Sequence, residues 1–286
     1  MSGPSSTTGL ERILEFVRQS RGFDFTAYKR TSLTRRVRTR MNAVQIHEFD
    51  AYLDYLQAHR DEFPALFDTV LINATRFFRD PEVWDGLCTT VLPLLTGAAD
   101  TAVRVWSAGT ATGQEGYTVA MLLAEQMGLD TFGRRVKIYA TDVDGDALRE
   151  ARKGIYTEAQ IADVPEALRT KYFARAGDGF QVAPALRRSV SFRRHDLLQD
   201  APLSRIHLLL CRNTLMYFNV GAQANVIAKF HAAVVPFGHL VLGRPEMIFN
   251  HDKLFEPIDL TRRIFTTTRQ AARHRGSRSG KAPRLV

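Results

Sequence analysis

Apolar residues recur at helical spacing through the first quarter of the chain. Leu10, Ile13, Leu14 and Val17 follow the i, i+3, i+4, i+7 rule, and Phe25 and Tyr28 come after a break at Gly22. Leu33, Val37 and Met41 form one stripe of a helix over 26–41, an arrangement that points its arginines outward. Phe49, Tyr52, Leu53 and Leu56, then Phe63, Leu66, Phe67 and Val70, mark two further amphipathic helices. Residues 10–72 therefore read as a small all-α N-terminal domain behind a short flexible tail at 1–9. The pattern breaks at 72–81, INATRFFRDP, where two aromatics sit between two arginines. Pro81 then opens a helix over 81–95, as a first-turn proline does.

From residue 102 the period changes. The run 102–106 (AVRVW) is mostly apolar and β-branched, which predicts a buried strand. A turn of small residues, 107–113, follows. The helix over 114–127 then carries Tyr117, Met121, Leu122 and Ala124 on one side. A strand over 136–141 ends at Asp142, and helices are expected over 144–153 and 163–173. Short antiparallel strands at 180–182 and 189–192 interrupt the alternation and suggest a small β insertion. The buried strand 206–210 runs into Cys211, Arg212 and Asn213, with a helix over 222–234 and strands at 239–242 and 263–267 after it. Strands alternating with helices predict an α/β domain with a parallel sheet. From 270 the chain is polar, basic and low in complexity, so a disordered tail is expected there.

Composition narrows the class. At 286 residues, 45% hydrophobic and 24% charged, the chain is ordinary for a globular protein of one large or two smaller domains. Two cysteines far apart, Cys88 and Cys211, provide no disulfide framework, so a reducing cytosol is the default. With neither a membrane-spanning apolar run nor a signal peptide, a cytoplasmic location is expected. The net charge of +9 is unevenly placed. Lys29, Arg30, Arg35, Arg36, Arg38 and Arg40 fall in 26–46 with no acid, and six more bases fall after 266 with none. Outside those two segments acids outnumber bases, so a nucleic-acid or membrane role would rest on them alone. The arginine helix reads either as a solvated face or as a landing strip for an acidic protein surface.

The strand-turn-helix unit over 102–117 carries the chemistry. Such a unit holds a charged small molecule on turn backbone and helix N-terminus, though it also serves as a plain βα corner. Gly109-x-x-x-Gly113 is neither a dinucleotide fingerprint nor a P-loop. Glu115 in the first helical turn suits a neutral or cationic ligand rather than phosphates. Asp142, at the end of the second strand, either holds ribose hydroxyls or caps the helix that follows. Together these residues suggest an adenosyl ligand without phosphates, S-adenosylmethionine. Other polar candidates at strand ends are His195 with Asp196, and Arg212 with Asn213. The last pair also fits a buried hydrogen-bonded corner.

INATRFFRDP, VWSAGTATGQE, ATDVD, RRHDLL, CRNTLMYF and LFEPID, in this order, resemble the CheR-type chemoreceptor glutamate methyltransferases. The resemblance spans about residues 10–268. It implies a Rossmann-like S-adenosylmethionine-dependent methyltransferase domain over 98–269, with an antiparallel β insertion at about 174–194. The all-α domain precedes it, joined through a linker motif and helix at 73–97, and a basic tail follows at 270–286. Carried over by residue, it implies cofactor contacts at Asn73, Thr75, Arg79, Glu115, Asp142, Asp196, Leu197, Cys211, Arg212 and Asn213. Arg79 and Tyr217 fall beside the transferred methyl group as catalytic positions, and no metal is expected. The implied partner is the cytoplasmic helical region of a chemoreceptor or related sensor, docked on the basic helix 26–41. A monomer is expected, without nucleic acid or membrane insertion. The sequence departs from the family turn at Thr110 and Gln114, where cysteine and glutamate are usual. Asp196 replaces a usual Asn, Thr214 a Val or Ile, and Pro245 a serine. These changes bear on substrate identity more than on chemistry. A nucleic-acid methyltransferase is an alternative, although the Asn/Asp-Pro-Pro-Tyr of amino-methylating enzymes is replaced here by Cys-Arg-Asn-Thr. A cofactor-binding regulator without catalysis is another.

Overall fold

The four apolar stripes of the N-terminal region become four helices: α1 (Ser5–Arg21), α2 (Arg30–Ala43), α3 (Phe49–Ala58) and α4 (Glu62–Val70). The structure is a computed structural model that describes residues 5–21, 23–71, 73–97, 101–246 and 254–268. Two compact units emerge, Met1–Asn73 with Tyr217–Gln223, and Ala74–Met216 with Ala224–Val286. The basic tail expected from 270 lies outside the described residues, whereas α1 already begins at Ser5, inside the stretch expected to be flexible.

Leu10, Ile13, Val17, Leu33, Val37, Met41, Tyr52 and Leu56 are buried in the helical unit, so burial of one stripe per helix drives its assembly. The expectation that the arginines of α2 all point outward is corrected. Arg40 makes a bidentate pair with Glu62, 2.7 Å at each contact, and the Tyr52 hydroxyl donates to the same carboxylate at 2.6 Å. Arg36 donates to Thr69 O, and Arg30 pairs with Glu11. Arg35 and Arg38 remain exposed. Periodicity identified the polar face of α2 but not which of its cations a neighbouring helix would capture. The segment 217–223 is built into this unit: Tyr217 O accepts from Lys29 N, Asn219 N donates to Ala27 O, and the Phe218 ring meets Tyr28 edge-on at 5.0 Å.

The larger unit opens on one helical run, α5 (Pro81–Gly86), a π-helical turn (Leu87–Val91) and α6 (Leu92–Gly97). There follow β1 (Val103–Ala108), α7 (Gln114–Met127), α8 (Leu129–Arg135), β2 (Val136–Asp142) and α9 (Gly145–Lys153). An insertion comes next, with β3 (Ile155–Tyr156), α10 (Glu158–Ile161), α11 (Glu166–Tyr172), β4 (Phe173–Ala176) and β5 (Gly179–Val182). The chain then runs through α12 (Pro184–Ser189), β6 (Val190–Arg194), β7 (Ile206–Cys211), a 3-10 turn (Leu215–Tyr217) and α13 (Val220–Ala233). It ends in β8 (Val234–Leu242), β9 (Phe255–Asp259) and β10 (Ile264–Thr267). The main sheet has seven strands in the order β6-β2-β1-β7-β8-β10-β9. Pairs from β6 to β8 are parallel, and β10 is antiparallel to both neighbours. Pro257 is tolerated in β9 because β9 is an edge strand.

Two expectations change here. The strand near 189–192 belongs to the main sheet, parallel to β2 with Ile138 opposite Val190. The antiparallel insertion is instead β3-β5-β4. Alternation along VSFRR marks a half-buried strand but does not choose its partner. Helix α7 is buried on nearly every side from Gln114 to Ala124 rather than along one stripe, and Leu122 is only half-buried. It contacts α6, α8, α12 and β2.

Replacing Arg40 with Leu would strand the buried Glu62 carboxylate. Stability of the helical unit should fall by about 3–5 kcal/mol in urea unfolding. A loss below about 1 kcal/mol would mean that water solvates the carboxylate after all.

Candidate active site

The strand order reverses between β1 and β7, and ligands of open α/β sheets lie outside the carboxyl ends of the strands at such a point. At this crevice β1 ends in Ala108 and the chain turns through Gly109 and Gly113, with φ of +75° and +93°. A Cβ on Gly109 would strike the Thr214 side chain, and one on Gly113 would lie 2.8 Å from Ala151 Cβ and 2.9 Å from the Phe192 ring. Both positions therefore require glycine. Gly109 N and Thr110 N donate to Thr141 O at the end of β2 (2.8 and 3.0 Å). Asp142 accepts from Ala111 N (2.8 Å) and Asp144 N (3.0 Å), so its carboxylate ties the two turns together. The cap of α9 is Asp144, whose Oδ1 accepts from Asp146 N and Ala147 N. The capping reading of Asp142 is corrected, because another acid does the capping. Burial pushes the Asp142 carboxyl up, against the pull of its backbone N–H donors.

Arg212, directly after β7, is the hub of the crevice. Its side chain is 2% exposed. Its Nη2 donates to Arg79 O and to Asp80 Oδ2, 2.7 Å each, and its Nη1 lies 3.6 Å from Glu115 Oε2. The guanidinium sits over the Trp84 ring at 5.1 Å, and Trp84 Nε1 donates to the same Arg79 carbonyl. Glu115 is buried, and its other oxygen accepts from Ser107 Oγ at 2.7 Å. Burial raises the Glu115 carboxyl, opposed by the Arg212 charge and the Ser107 hydrogen bond. Two carboxylates thus converge on one guanidinium, which anchors the linker motif to the strand tips. Phe78 and Asp80 hold left-handed backbone (φ +50° and +54°) beside this anchor. The Arg79 guanidinium donates to Ala74 O at 3.0 Å.

Glu246 was not anticipated from the sequence. It is buried 3% exposed, and its carboxylate accepts from Gly243 N and Thr214 N (2.7 Å each), Asn213 N (3.0 Å) and Met216 N (3.3 Å). It holds the loop after β7 against the end of β8. An acid just past a predicted strand end was the available signal. Asp80 and Trp84 were also missed, because Asp-Pro and an amphipathic Trp read equally well as a helix start and a core residue.

The remaining expected residues fall as follows. Asp196 Oδ1 accepts from Leu198 N at 2.8 Å, and Lys229 Nζ pins this turn through Leu197 O, Leu198 O and Asp200 O. Leu197 is buried, Thr75 half-buried, and His195 N donates to Asp142 O. Cys211 is fully buried, and burial pushes its thiol well up, which leaves it inert as a nucleophile. Thr110 Oγ1, Arg212 Nε and Asn213 Oδ1 are buried without a hydrogen-bond partner among the described residues. Asn73 and Tyr217 belong to the helical unit, where the Arg36 guanidinium lies 5.4 Å from the Tyr217 ring centroid. Among the described residues no group of three or more His, Cys, Asp and Glu is placed to hold a metal, and no helix is long and apolar enough to cross a membrane.

A family model described as "CheR methyltransferase, SAM binding domain" matches residues 73–264, and "CheR methyltransferase, all-alpha domain" matches residues 8–71. The chain is 35% identical over 274 residues to an uncharacterized 104.1 kDa protein of Rhodobacter capsulatus, covering 94% of this chain and 29% of that protein. It is 31% identical to a chemotaxis protein methyltransferase of Borreliella burgdorferi, covering 86% of this chain and 90% of that one. A chemotaxis protein methyltransferase of Listeria monocytogenes is 34% identical, with coverage of 82% and 88%.

Glu246→Ala would leave four backbone donors without their acceptor. Its stability should drop by about 2–4 kcal/mol, and that of Glu246→Gln by less, in chemical denaturation. Equal stability of all three proteins would show that water replaces the carboxylate freely.

Proposed function

The chain belongs to the CheR methyltransferase family, and from that premise we propose that it esterifies glutamate side chains on the cytoplasmic helical region of a chemoreceptor or related sensor. The family's cofactor is S-adenosylmethionine, and the crevice fits it. Glycine at 109 lets the turn between β1 and α7 pass close against Thr214, a buried acid stands at Glu115, and buried polar atoms of Thr110, Arg212 and Asn213 are without partners among the described residues. This cradle at the switch between β1 and β7 is the observation that supports the reading most directly.

When bound, S-adenosylmethionine supplies an electrophilic methyl group on a sulfonium. An acceptor glutamate is already ionised at neutral pH, so no side chain of the protein has to remove a proton. Bringing opposite charges together neutralises both, and the protein contributes by excluding water and aligning the reacting groups. Arg79 would hold the acceptor carboxylate, and Tyr217 would orient it. Glu115 would balance the amino end of the cofactor and Asp142 would hold the ribose. Asn73, Thr75, Asp196, Leu197, Cys211 and Asn213 would complete its surroundings. Arg212 has its guanidinium committed to Asp80, Arg79 O and Glu115, so its role would be to position Glu115 and the linker. On α2 the exposed Arg35 and Arg38 are the cations left to meet the acidic receptor surface.

With labelled cofactor and receptor fragments, the product should be an alkali-labile ester. Arg79→Ala should lower its formation by at least about a hundredfold while retaining at least part of the cofactor affinity. Unchanged turnover removes Arg79 from the reaction, and an alkali-stable product removes glutamate as the acceptor.

Glu115 protonates at a higher pH than a surface glutamate because burial raises it. Only its ionised form attracts the cofactor's ammonium. Affinity for S-adenosylhomocysteine should therefore weaken as pH falls through a range above the ordinary glutamate value of about 4.3. Calorimetry on Glu115→Gln should find weaker binding without that acid limb. An identical limb in the variant would assign it to another group.

A further inference from the structure

The opposite end of the parallel sheet carries a second feature. The amino ends of β1, β2 and β7, with α8 and α12, line a groove of about 1170 Å³. It is separated from the crevice by the length of β1, about 17 Å at the usual rise per residue. Arg104, Arg134, Lys137, Arg188 and Arg205 line it beside Arg135, whose guanidinium donates to backbone carbonyls, and Asp130 is the one acid among its lining residues. None of these five cations makes an ion pair among the described residues. Arg134, Arg188 and Arg205 are exposed at the rim.

The floor is built at a cost in stability. Arg104 and Lys137 stand directly opposite each other on neighbouring strands, and like charges so placed repel. Their positions are held all the same: the Arg104 guanidinium lies over the Tyr139 ring at 4.7 Å, and Lys137 Nζ reaches Arg188 O at 3.5 Å. An anionic occupant would remove that repulsion. We infer that this groove is a docking surface for an acidic peptide segment of a partner protein, separate from the cofactor crevice. Guanidinium forks suit carboxylates in pairs. Single-stranded nucleic acid is less well matched. It needs free aromatic faces for stacking, whereas Tyr139 is covered by Arg104 and Asp130 lines the groove. Acids and bases nearly balance across residues 74–268, so a lining with a single acid among several cations departs from the average of the unit.

The test is fluorescence anisotropy on the full chain at low salt, with a labelled alternating Asp-Glu peptide and a labelled oligo-dT strand. The triple variant Arg134→Glu/Arg188→Glu/Arg205→Glu should bind the peptide about tenfold or more weakly. Its affinity for S-adenosylhomocysteine and its melting temperature should not change. If charge reversal impairs folding, Arg→Gln at the same sites should give a smaller loss of the same sign. Undiminished peptide affinity in the folded triple variant overturns the inference. So does the same loss in Arg35→Glu/Arg38→Glu instead, or tighter binding of oligo-dT than of peptide at the groove.

Discussion

One buried guanidinium organises the larger unit. Arg212 leaves the end of β7 and gathers the linker through Arg79 O and Asp80, and α7 through Glu115, beneath the ring of Trp84. A charge this deeply buried is tolerable only when its partners are all in place. Each partner is in turn held by the arginine. The left-handed backbone at Phe78 and Asp80 is costly for residues with a Cβ, and it persists where surrounding contacts over-determine it. Linker, first helical turn and strand tip are therefore one structure rather than three neighbouring ones.

The carboxylates around this hub serve the backbone. Asp142 joins the turns after β1 and β2, Asp144 caps α9, and Glu246 collects four amides from the loops after β7 and β8. Turns that would otherwise move are fixed to strand ends before any ligand arrives. That order suits the methyl transfer proposed above, in which alignment is the main task. The backbone at Thr110 and Thr214 is fixed in the same way. Thr110 keeps its backbone hydrogen bond to Thr141 O, and Thr214 N is held by Glu246.

The helical unit shows the same economy of means. Its core is four apolar stripes, but its composition in chain terms is not contiguous. Residues 217–223 return to it and are secured by backbone hydrogen bonds to residues 27 and 29 and by the Tyr28 and Phe218 rings. Tyr217, which leads this segment, is thereby placed by α2 and the turn before it, with Arg36 over its ring.

Much of this was legible in the order of residues. Periods of 3.6 and 2 separate the helical region from the α/β region, and glycines at 109 and 113 mark a turn whose backbone no other residue adopts without strain. An acid in the first turn of α7 and one at the end of β2 are legible at the strand tips, because local spacing alone brings them there. What local spacing does not contain is partnership across the chain. The assignment of β6 to the main sheet, the capture of Arg40 by Glu62, the four amides of Glu246 and the convergence of Asp80, Glu115 and Arg212 join residues up to 132 positions apart. Those pairings were decided by three-dimensional packing, since burial, not sequence distance, determines which charge must find which partner.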